Sequence, residues 1–502
     1  MDDGDVTSFL ECERVLRAKN VGLGSIEALT RTLDVLGVGA VDAVGVADRT
    51  FWRQHRGWLL PALKRCFGDV PVNAWHHHDC HAFAALTASP FSRATCVTID
   101  GKGDGLSASV VLADRAGGRK RLLEVPSASS LGRLWWGVSE FCGLAGHHSA
   151  GKVMALAAYG EALEPWAGHI ELLDDGGFRF DDREVPAGTF STAPAIARWL
   201  ETVTGVRAGA LHADLAAGLQ GLTERVVCHL VGQAVQTTGE RRVCLAGGVA
   251  LNGLANQRLL SEGRCDALYV PPCTDDRGLS LGAAALATLE AGVRLTHRET
   301  PLSAFLGPES RTEGPGGGWR AVGGEPTDAV ARLLARGELV AVCRGRSEAG
   351  PRALGHRSLL ASPTGPEMRD RLNLEVKQRE PFRPFGCAVP LEQVSQWFDL
   401  EGDSPYMLRI AKARASVSGQ IPAVLHEDGT SRIQTVTEDD GSHLGMLLAA
   451  LGRLGHPPIV LNTSLNRRGE PLVRTSAEAA QAALAMGVRF LLTDVGLFEV
   501  AA

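Results

Sequence analysis

Short apolar runs alternate with longer stretches of helical periodicity over the first 300 residues. Residues 94–99 and 242–246 are apolar over the length of one strand, whereas 211–235 and 279–289 are rich in Ala and Leu at helical spacing. Alternation of strands and helices is typical of proteins in which helices cover a sheet. This part of the chain is therefore predicted to be α/β.

The pattern breaks at residues 303–321, where Gly and Pro become frequent, and a second α/β pattern follows. It consists of predicted helices at 328–336 and 477–486 and predicted strands at 339–343 and 458–461. We therefore expect a first domain at 1–302, a linker at 303–321 and a second domain at 322–502. A chain of 502 residues is too long for one core, which agrees with this division.

Composition narrows the function classes. Hydrophobic residues make up 45% of the chain and charged residues 22%, as in an ordinary globular enzyme. The net charge of −6 argues against a general nucleic-acid binder. We expect no membrane partner and a cytoplasmic location, because no apolar run is long enough to span a bilayer and no signal peptide is evident. None of the 11 cysteines forms a Cys-x-x-Cys pair, so no zinc ribbon is indicated.

Two histidines are spaced so that a helix would bring their rings together. His77 and His81 stand at i and i+4, a geometry that suits one divalent metal, although such a pair alone is more often solvent-facing or part of a core. Asp100, at the end of a predicted strand, and Asp276, before a predicted helix, complete a set of two His and two Asp. Mixed nitrogen and oxygen ligands suit Fe(II), Mn(II) or Zn(II) better than Mg(II).

Two glycine-rich turns are candidates for contacts with phosphate. Asp104 lies in an Asp-Gly-x-Gly-Asp turn, which a simple hairpin could also explain. Gly247 and Gly248 follow a predicted strand and lead through Asn252 into a helix. Free backbone N–H groups at such a helix start can bind a nucleotide, and an ordinary strand-to-helix turn is the alternative.

Basic residues recur beside Pro and Gly in the second domain, in the segments 345–358, 373–385 and 428–436. The segment 461–466, Leu-Asn-Thr-Ser-Leu-Asn, adds further polar side chains. Guanidinium groups match phosphate oxygens in geometry and charge. Because the protein as a whole is acidic, these cations indicate a common anion site, although a single Arg among them could belong to a solvated surface.

Together with His77, His81 and the glycine turns, these four segments resemble the O-carbamoyltransferases of the NodU/CmcH type from nodulation-factor and antibiotic biosynthesis. The resemblance covers nearly the whole chain. It implies an actin/hexokinase-like (ASKHA) ATPase-type domain followed by a YrdC-like α/β domain. It also implies that the second domain forms carbamoyl-adenylate from carbamoyl phosphate and ATP, and that the first domain transfers the carbamoyl group to a hydroxyl of a small secondary metabolite.

The resemblance assigns roles to individual positions. Metal ligands fall on His77, His81, Asp100 and Asp276, catalytic residues on Lys19, Arg352, Lys377 and Arg432, and nucleotide or carbamoyl phosphate contacts on Asp104, Lys152, Gly247, Gly248, Asn252, Arg383 and Ser464. The implied cofactor is Fe(II) or another divalent transition metal, with ATP and carbamoyl phosphate as substrates and Mg(II) as a candidate companion of ATP. A homodimer is compatible with the resemblance.

The chain departs from the family pattern in three places. Relatives begin with a strand and a His-Asp turn, whereas this sequence opens at Asp3 and Gly4, so either the true start lies upstream or the edge strand is absent. Ala150 replaces a usual glutamate, and His356 replaces a usual asparagine. Two alternatives stay open: a tRNA threonylcarbamoyl-type transferase, which the net charge disfavours, and an inactive relative that acts as a binding protein.

Overall fold

The computed structural model describes residues 1–17, 26–144, 149–181, 185–310, 314–437 and 443–501. Lys19, predicted to be catalytic, lies outside the described residues. The chain divides into two compact units: unit 1 comprises 1–7 and 38–302, and unit 2 comprises 8–37 and 303–502. Unit 2 thus includes residues 8–37, which the sequence predicts in the first domain, and residues 303–310 of the predicted linker.

Residues 8–37 carry two helices, α1 (Cys12–Leu16) and α2 (Ile26–Leu36). The Arg14 guanidinium is buried, forms an ion pair of 2.9 Å with Glu11 and donates to the carbonyl oxygens of Glu348 and Gly350. Glu11 in turn accepts a hydrogen bond of 2.8 Å from the Gly350 backbone N–H. These buried polar contacts explain why this early segment belongs to unit 2.

Unit 1 is built from three groups of strands and eight helices in the described residues. Its strands are β1 (Val44–Ala47), β2 (Val72–Trp75), β3 (Arg93–Gly103), β4 (Leu106–Asp114), β5 (Arg119–Pro126), β6 (Ile170–Leu172), β7 (Phe178–Phe180), β8 (Arg242–Ala246) and β9 (Ala267–Tyr269). Its helices are α3 (Arg49–Phe67), α4 (His77–Ala88), α5 (Leu131–Phe141), α6 (Ala150–Leu156), α7 (Ala193–Thr204), α8 (Ala213–Thr238), α9 (Gly253–Ser261) and α10 (Leu279–Glu290).

The main sheet of unit 1 has the order β5-β4-β3-β8-β9. Strands β3, β4 and β5 are antiparallel neighbours, whereas β3, β8 and β9 run parallel. The carboxyl ends of β3 and β8 therefore meet at one edge, where open α/β sheets commonly bind ligands. Strands β1 and β2 form a separate parallel pair, and β6 and β7 an antiparallel one.

Helix α4 packs against the main sheet and is buried on almost every side. All of its residues except Asp79 are buried, and apolar residues such as Phe83 and Leu86 fill its lower turns. A helix that is apolar all round belongs in a core rather than at a surface. The two histidines at its first turns are thereby held inside the protein.

Unit 2 contains a nine-stranded mixed sheet of order β10-β18-β17-β11-β12-β16-β13-β15-β14. The strands are β10 (Trp319–Ala321), β11 (Val340–Cys343), β12 (Arg357–Ala361), β13 (Gly386–Pro390), β14 (Arg409–Lys412), β15 (Thr430–Val436), β16 (Val460–Ser464), β17 (Phe490–Thr493) and β18 (Gly496–Val500). The helices are α11 (Pro326–Ala335), α12 (Glu367–Asp370), α13 (Val394–Trp397), α14 (Leu444–Arg453) and α15 (Ser476–Ala485).

Two apolar cores flank this sheet, because alternate residues of its central strands point to opposite faces. Leu359 and Leu461 contribute to one core, and Leu360 and Val460 to the other. The predicted α/β fold class is confirmed in both units. The helix predicted at 211–235 is α8, and the strand predicted at 94–99 is the middle of β3. No helix among the described residues has the length and apolar character needed to cross a membrane.

We predict that Arg14→Met destabilises unit 2 by about 3 to 5 kcal/mol, because it leaves the Glu11 carboxylate buried without its cation. Arg31→Met is the matched control, since Arg31 forms an exposed pair with Glu27 on α2. That change should cost less than about 1 kcal/mol. Chemical denaturation would compare the two variants. Equal losses would show that the buried pair does not fix this segment.

Candidate functional site

Four ionisable side chains converge at the sheet edge of unit 1. Their ligand atoms, one each from His77, His81, Asp100 and Asp276, all lie within 4.8 Å of one another. The two imidazole Nε2 atoms are 3.2 Å apart, and His77 Nε2 is 3.3 Å from an Asp100 oxygen. An Asp276 oxygen lies 3.4 Å from each imidazole Nε2.

These distances fit a single metal ion. Donors at about 2.1 Å from an ion stand about 3.4 Å apart in a tetrahedron, close to the observed values. Asp100 and both histidines are buried, whereas Asp276 is 67% exposed on its side chain. The site thus has a buried base and one ligand towards solvent, as a site that must receive a substrate would need.

His77 is fixed by residues around the cluster. Its Nδ1 lies 3.3 Å from the Asp48 carboxylate, an outer contact of the kind that orients metal-binding histidines. Burial alone would lower the pKa of His77. Hydrogen bonds with the three nearby carboxylates, that of Asp100 foremost, outweigh burial and raise this pKa to about 12. The carboxylates therefore favour positive charge at this position, which a metal ion would supply by displacing the proton.

Asp104 was predicted to contact nucleotide, but in this structure its carboxylate binds backbone N–H groups. Its carboxylate accepts hydrogen bonds from the backbone N–H groups of Arg49, Thr50 and His77 at 2.7 to 3.0 Å. It therefore caps the first turns of α3 and α4 together. Its hydrogen bond from the His77 N–H also fixes where α4 begins.

The glycine turn after β8 reaches the metal cluster. The Gly248 N–H donates to Asp100 at 2.9 Å. Gly247 has φ of +91°, and a side chain there would come within 2.2 Å of the Ile99 carbonyl oxygen. Asn252 caps α9 through the Ala255 N–H at 3.1 Å. The predicted strand, glycines and helix are therefore present, with a short 3₁₀ turn between them.

Lys152, which was predicted to contact nucleotide, lies on α6.

Unit 2 brings four arginines together, namely Arg352, Arg379, Arg383 and Arg432. Burial lowers the pKa of Arg432 well below its ordinary value, and the other three arginines lower it further. Burial and the neighbouring Arg383 likewise lower the pKa of Arg379 to about 9. Glu380 offsets part of this repulsion through its ion pair of 3.8 Å with Arg383, and the positive charge that remains suits an anionic ligand.

The sheet itself positions Arg432. In the register of β16, β13 and β15, Asn462, Gly386 and Arg432 form one row. A side chain at Gly386 would lie 3.3 Å from Arg432 Nε, so the absence of one lets the arginine lie across the strand. Arg432 Nε is buried with no hydrogen-bond partner among the described residues. Asn462, which is buried in the same row, was not predicted.

Lys377 and Ser464 lie together but are occupied by local contacts. Lys377 Nζ donates to the Ser464 carbonyl oxygen and, at 3.0 and 3.1 Å, to the carbonyl and side-chain oxygens of Asn466. The Ser464 hydroxyl donates to the same Asn466 side chain at 2.6 Å. Lys377 therefore ties the end of β16 to the segment that carries Arg379 and Arg383.

The loop that carries Arg352 is organised by a buried carboxylate. Glu348 Oε1 accepts hydrogen bonds of 2.9 Å from the N–H groups of Leu354, His356 and Arg357. The loop therefore folds around Glu348. The sequence analysis did not predict a role for this residue. The His356 ring stacks on Phe305 at 3.8 Å between ring centroids, and its Nδ1 lies 2.7 Å from the Arg346 carbonyl oxygen.

Comparisons with known proteins match most of the chain. The model of the carbamoyltransferase N-terminus matches residues 35–285, and that of the carbamoyltransferase C-terminus matches residues 331–499. Nodulation protein NolO of Bradyrhizobium diazoefficiens is 34% identical over 436 residues, which cover 84% of this chain and 76% of NolO. This chain belongs to the carbamoyltransferase family. The predicted family and the predicted enzyme class are confirmed.

Other relatives cover this carbamoyltransferase to different extents. Nodulation protein NolNO of Sinorhizobium fredii is 35% identical over 84% of this chain and 62% of its own length. An uncharacterized protein of Synechocystis is 31% identical over 89% of this chain and 81% of its own. The solved structure of T. kodakarensis HypF is 15% identical, covers 54% of this chain and 44% of that one, and has a TM-score of 0.35, which is too low to carry an argument.

We predict that Gly103→Ala weakens metal binding about 10- to 100-fold, as is typical when a metal ligand loses its support. A side chain at Gly103 would come within 2.1 Å of the His77 ring and displace it. Gly101→Ala is the matched control on the same strand, since nothing lies within 4 Å of a side chain there. Metal titration of both variants would measure the difference. Equal metal affinities of the two variants would show that His77 is not a metal ligand.

Proposed function

We propose that this carbamoyltransferase is ATP-dependent and acts in two steps through carbamoyl-adenylate. Unit 2 binds carbamoyl phosphate and ATP. Atom balance requires water to release inorganic phosphate and carbamate, whose oxygen then attacks the α-phosphorus of ATP as pyrophosphate leaves. In the second step an acceptor hydroxyl oxygen attacks the carbamoyl carbon, AMP leaves and the hydroxyl proton passes to a base.

The cluster of four arginines is the observation that carries this proposal. Arg352, Arg379 and Arg383 repel the buried Arg432 guanidinium, and phosphate oxygens would offset that repulsion through charge-assisted hydrogen bonds. The same guanidinium groups would stabilise charge that develops on the leaving phosphate. Carbamate decomposes readily in water, so a closed arginine site would also protect it.

The residues of unit 1 support the transfer step. His77, His81, Asp100 and Asp276 would hold Fe(II) or another divalent transition metal, because the set mixes two nitrogen and two oxygen donors. Such an ion supplies Lewis acidity at the phosphate of the adenylate. Asp276, the most exposed of these four residues, would face an incoming substrate. Lys152, Gly247, Gly248 and Asn252 are proposed nucleotide contacts, with Mg(II) as a candidate companion of ATP.

The proposed acceptor is a hydroxyl of a small secondary metabolite, such as an antibiotic or a sugar-like compound. Two relatives are named nodulation proteins, NolO and NolNO, which is compatible with a role in making a small signal or secondary metabolite. The net charge of −6 makes a nucleic-acid acceptor less suitable.

We predict that Arg432→Ala slows release of pyrophosphate from ATP and carbamoyl phosphate about 30- to 1000-fold, which corresponds to about 2 to 4 kcal/mol of lost stabilisation. Arg453→Ala is the matched control, because Arg453 is an exposed arginine of the same unit that pairs with Asp328. A coupled pyrophosphate assay would measure both variants. Equal rates of pyrophosphate release in the two variants would show that the arginine cluster has no part in forming carbamoyl-adenylate.

We predict further that Asp276→Asn retains pyrophosphate release but yields no carbamoylated product. The reason is that Asp276 lies in the metal cluster of unit 1, whereas the arginine cluster lies in unit 2. The same assay, followed by mass spectrometry of the acceptor, would separate the two steps. If Asp276→Asn lost pyrophosphate release as fully as Arg432→Ala, the metal would belong to activation.

A further inference from the structure

Unit 1 contains a cavity beside the metal cluster that the proposed chemistry does not use. Its volume is about 350 Å³, which is within the range that holds a small organic ligand. The side chains that line it are Arg49, His76, Asp79, Val111, Arg119 and Arg121. Three guanidinium groups thus face one carboxylate.

The cavity is lined mainly by hydrogen-bond donors, and its one carboxylate is already bound by an arginine. Asp79 is engaged by Arg121, which also pairs with Glu124 at 2.7 Å. His76 Nδ1 accepts the His78 N–H at 3.2 Å, so the ring proton is on Nε2 and the ring is a donor as well. Arg49 and Arg119 form no ion pair with any described residue.

Two of the cations are held in place before any ligand arrives. The Arg119 guanidinium lies over the rings of Trp75 and Phe83, at 5.5 and 5.9 Å from the centroids. Arg121 is fixed by its two carboxylates. Donors that are already oriented bind an anion without a further entropy cost for ordering long side chains.

The cavity is joined to the metal cluster through the backbone. His76 directly precedes the metal-site residue His77, and the N–H groups of Arg49 and His77 donate to the same Asp104 carboxylate. A ligand anchored by Arg49 and His76 would therefore lie next to the place where transfer is proposed.

We propose that this cavity binds an anionic group, a phosphate, sulfate or carboxylate, carried by the hydroxyl acceptor. The inference rests on the proposed function, because it assigns the class of acceptor for the transfer step. The anion would be held by the guanidinium groups of Arg49, Arg119 and Arg121 and by the His76 N–H. The acceptor would then present its hydroxyl to the metal side.

Calorimetric titration of the full-length protein with glucose 6-phosphate tests the anion site, with glucose and inorganic phosphate as the other two ligands. The expected order is glucose 6-phosphate tightest, inorganic phosphate weaker and glucose undetectable. In the Arg49→Ala/Arg119→Ala variant, binding of glucose 6-phosphate should fall about 10- to 100-fold, since two charge-assisted contacts are lost and each is worth up to about tenfold. Both arginines are exposed, so the variant should fold.

Two further proteins sharpen the test. Arg56→Ala removes an exposed arginine of α3 that does not line the cavity, and should bind as the wild type does. Arg432→Ala should also bind glucose 6-phosphate unchanged, which separates this cavity from the anion site of unit 2 and from the success of the proposed activation step. Unchanged binding in the double variant, loss of glucose 6-phosphate binding in Arg432→Ala, or equal affinity of Arg432→Ala for inorganic phosphate and glucose 6-phosphate would overturn the proposal.

Discussion

Repulsion between arginines is the constraint on which the second unit depends. Four guanidinium groups meet where burial already disfavours charge, so that the pKa values of Arg379 and Arg432 fall below their ordinary range. Folding alone gains nothing from such an arrangement, because like charges in a poorly hydrated place destabilise the protein. An anionic ligand would offset this repulsion, and carbamoyl phosphate is the ligand that we propose.

Residues around the four arginines position the segments that carry them. Lys377 ties the arginine segment to the end of β16, Glu348 gathers the loop of Arg352, and Gly386 leaves room for Arg432. The candidate site of unit 1 is negatively charged, because the carboxylates of Asp48, Asp100 and Asp276 surround His77. There Asp104 joins the starts of α3 and α4, and His77 and His81 lie on the buried helix α4. In each unit, neighbouring polar groups pin the residues that would do the chemistry.

The sequence could predict what depends on local spacing. The i, i+4 pair His77 and His81 lies on one helix, as the spacing predicts, and the strand before Asp100 and the helix after Gly248 are present. These features follow from periodicity and from turn residues, which the chain displays directly. The fold class could be predicted for the same reason, whereas the family was predicted from the resemblance of several motifs to those of known carbamoyltransferases.

Contacts set by strand register could not be predicted. Asp48 reaches His77 because Ala47 of β1 stands beside Trp75 of β2, a pairing that no local pattern specifies. Asn462 joins the row of Arg432 in the same way. The roles of Lys377 and Asp104 were equally hidden, since a sequence does not show that their polar groups are already engaged by the backbone.

A crystal structure with phosphonoacetamide, a stable analogue of carbamoyl phosphate, would test the central claim most directly. The account predicts the phosphonate among the guanidinium groups of Arg352, Arg383 and Arg432 in unit 2. A phosphonate bound elsewhere, with these arginines still facing one another, would contradict it.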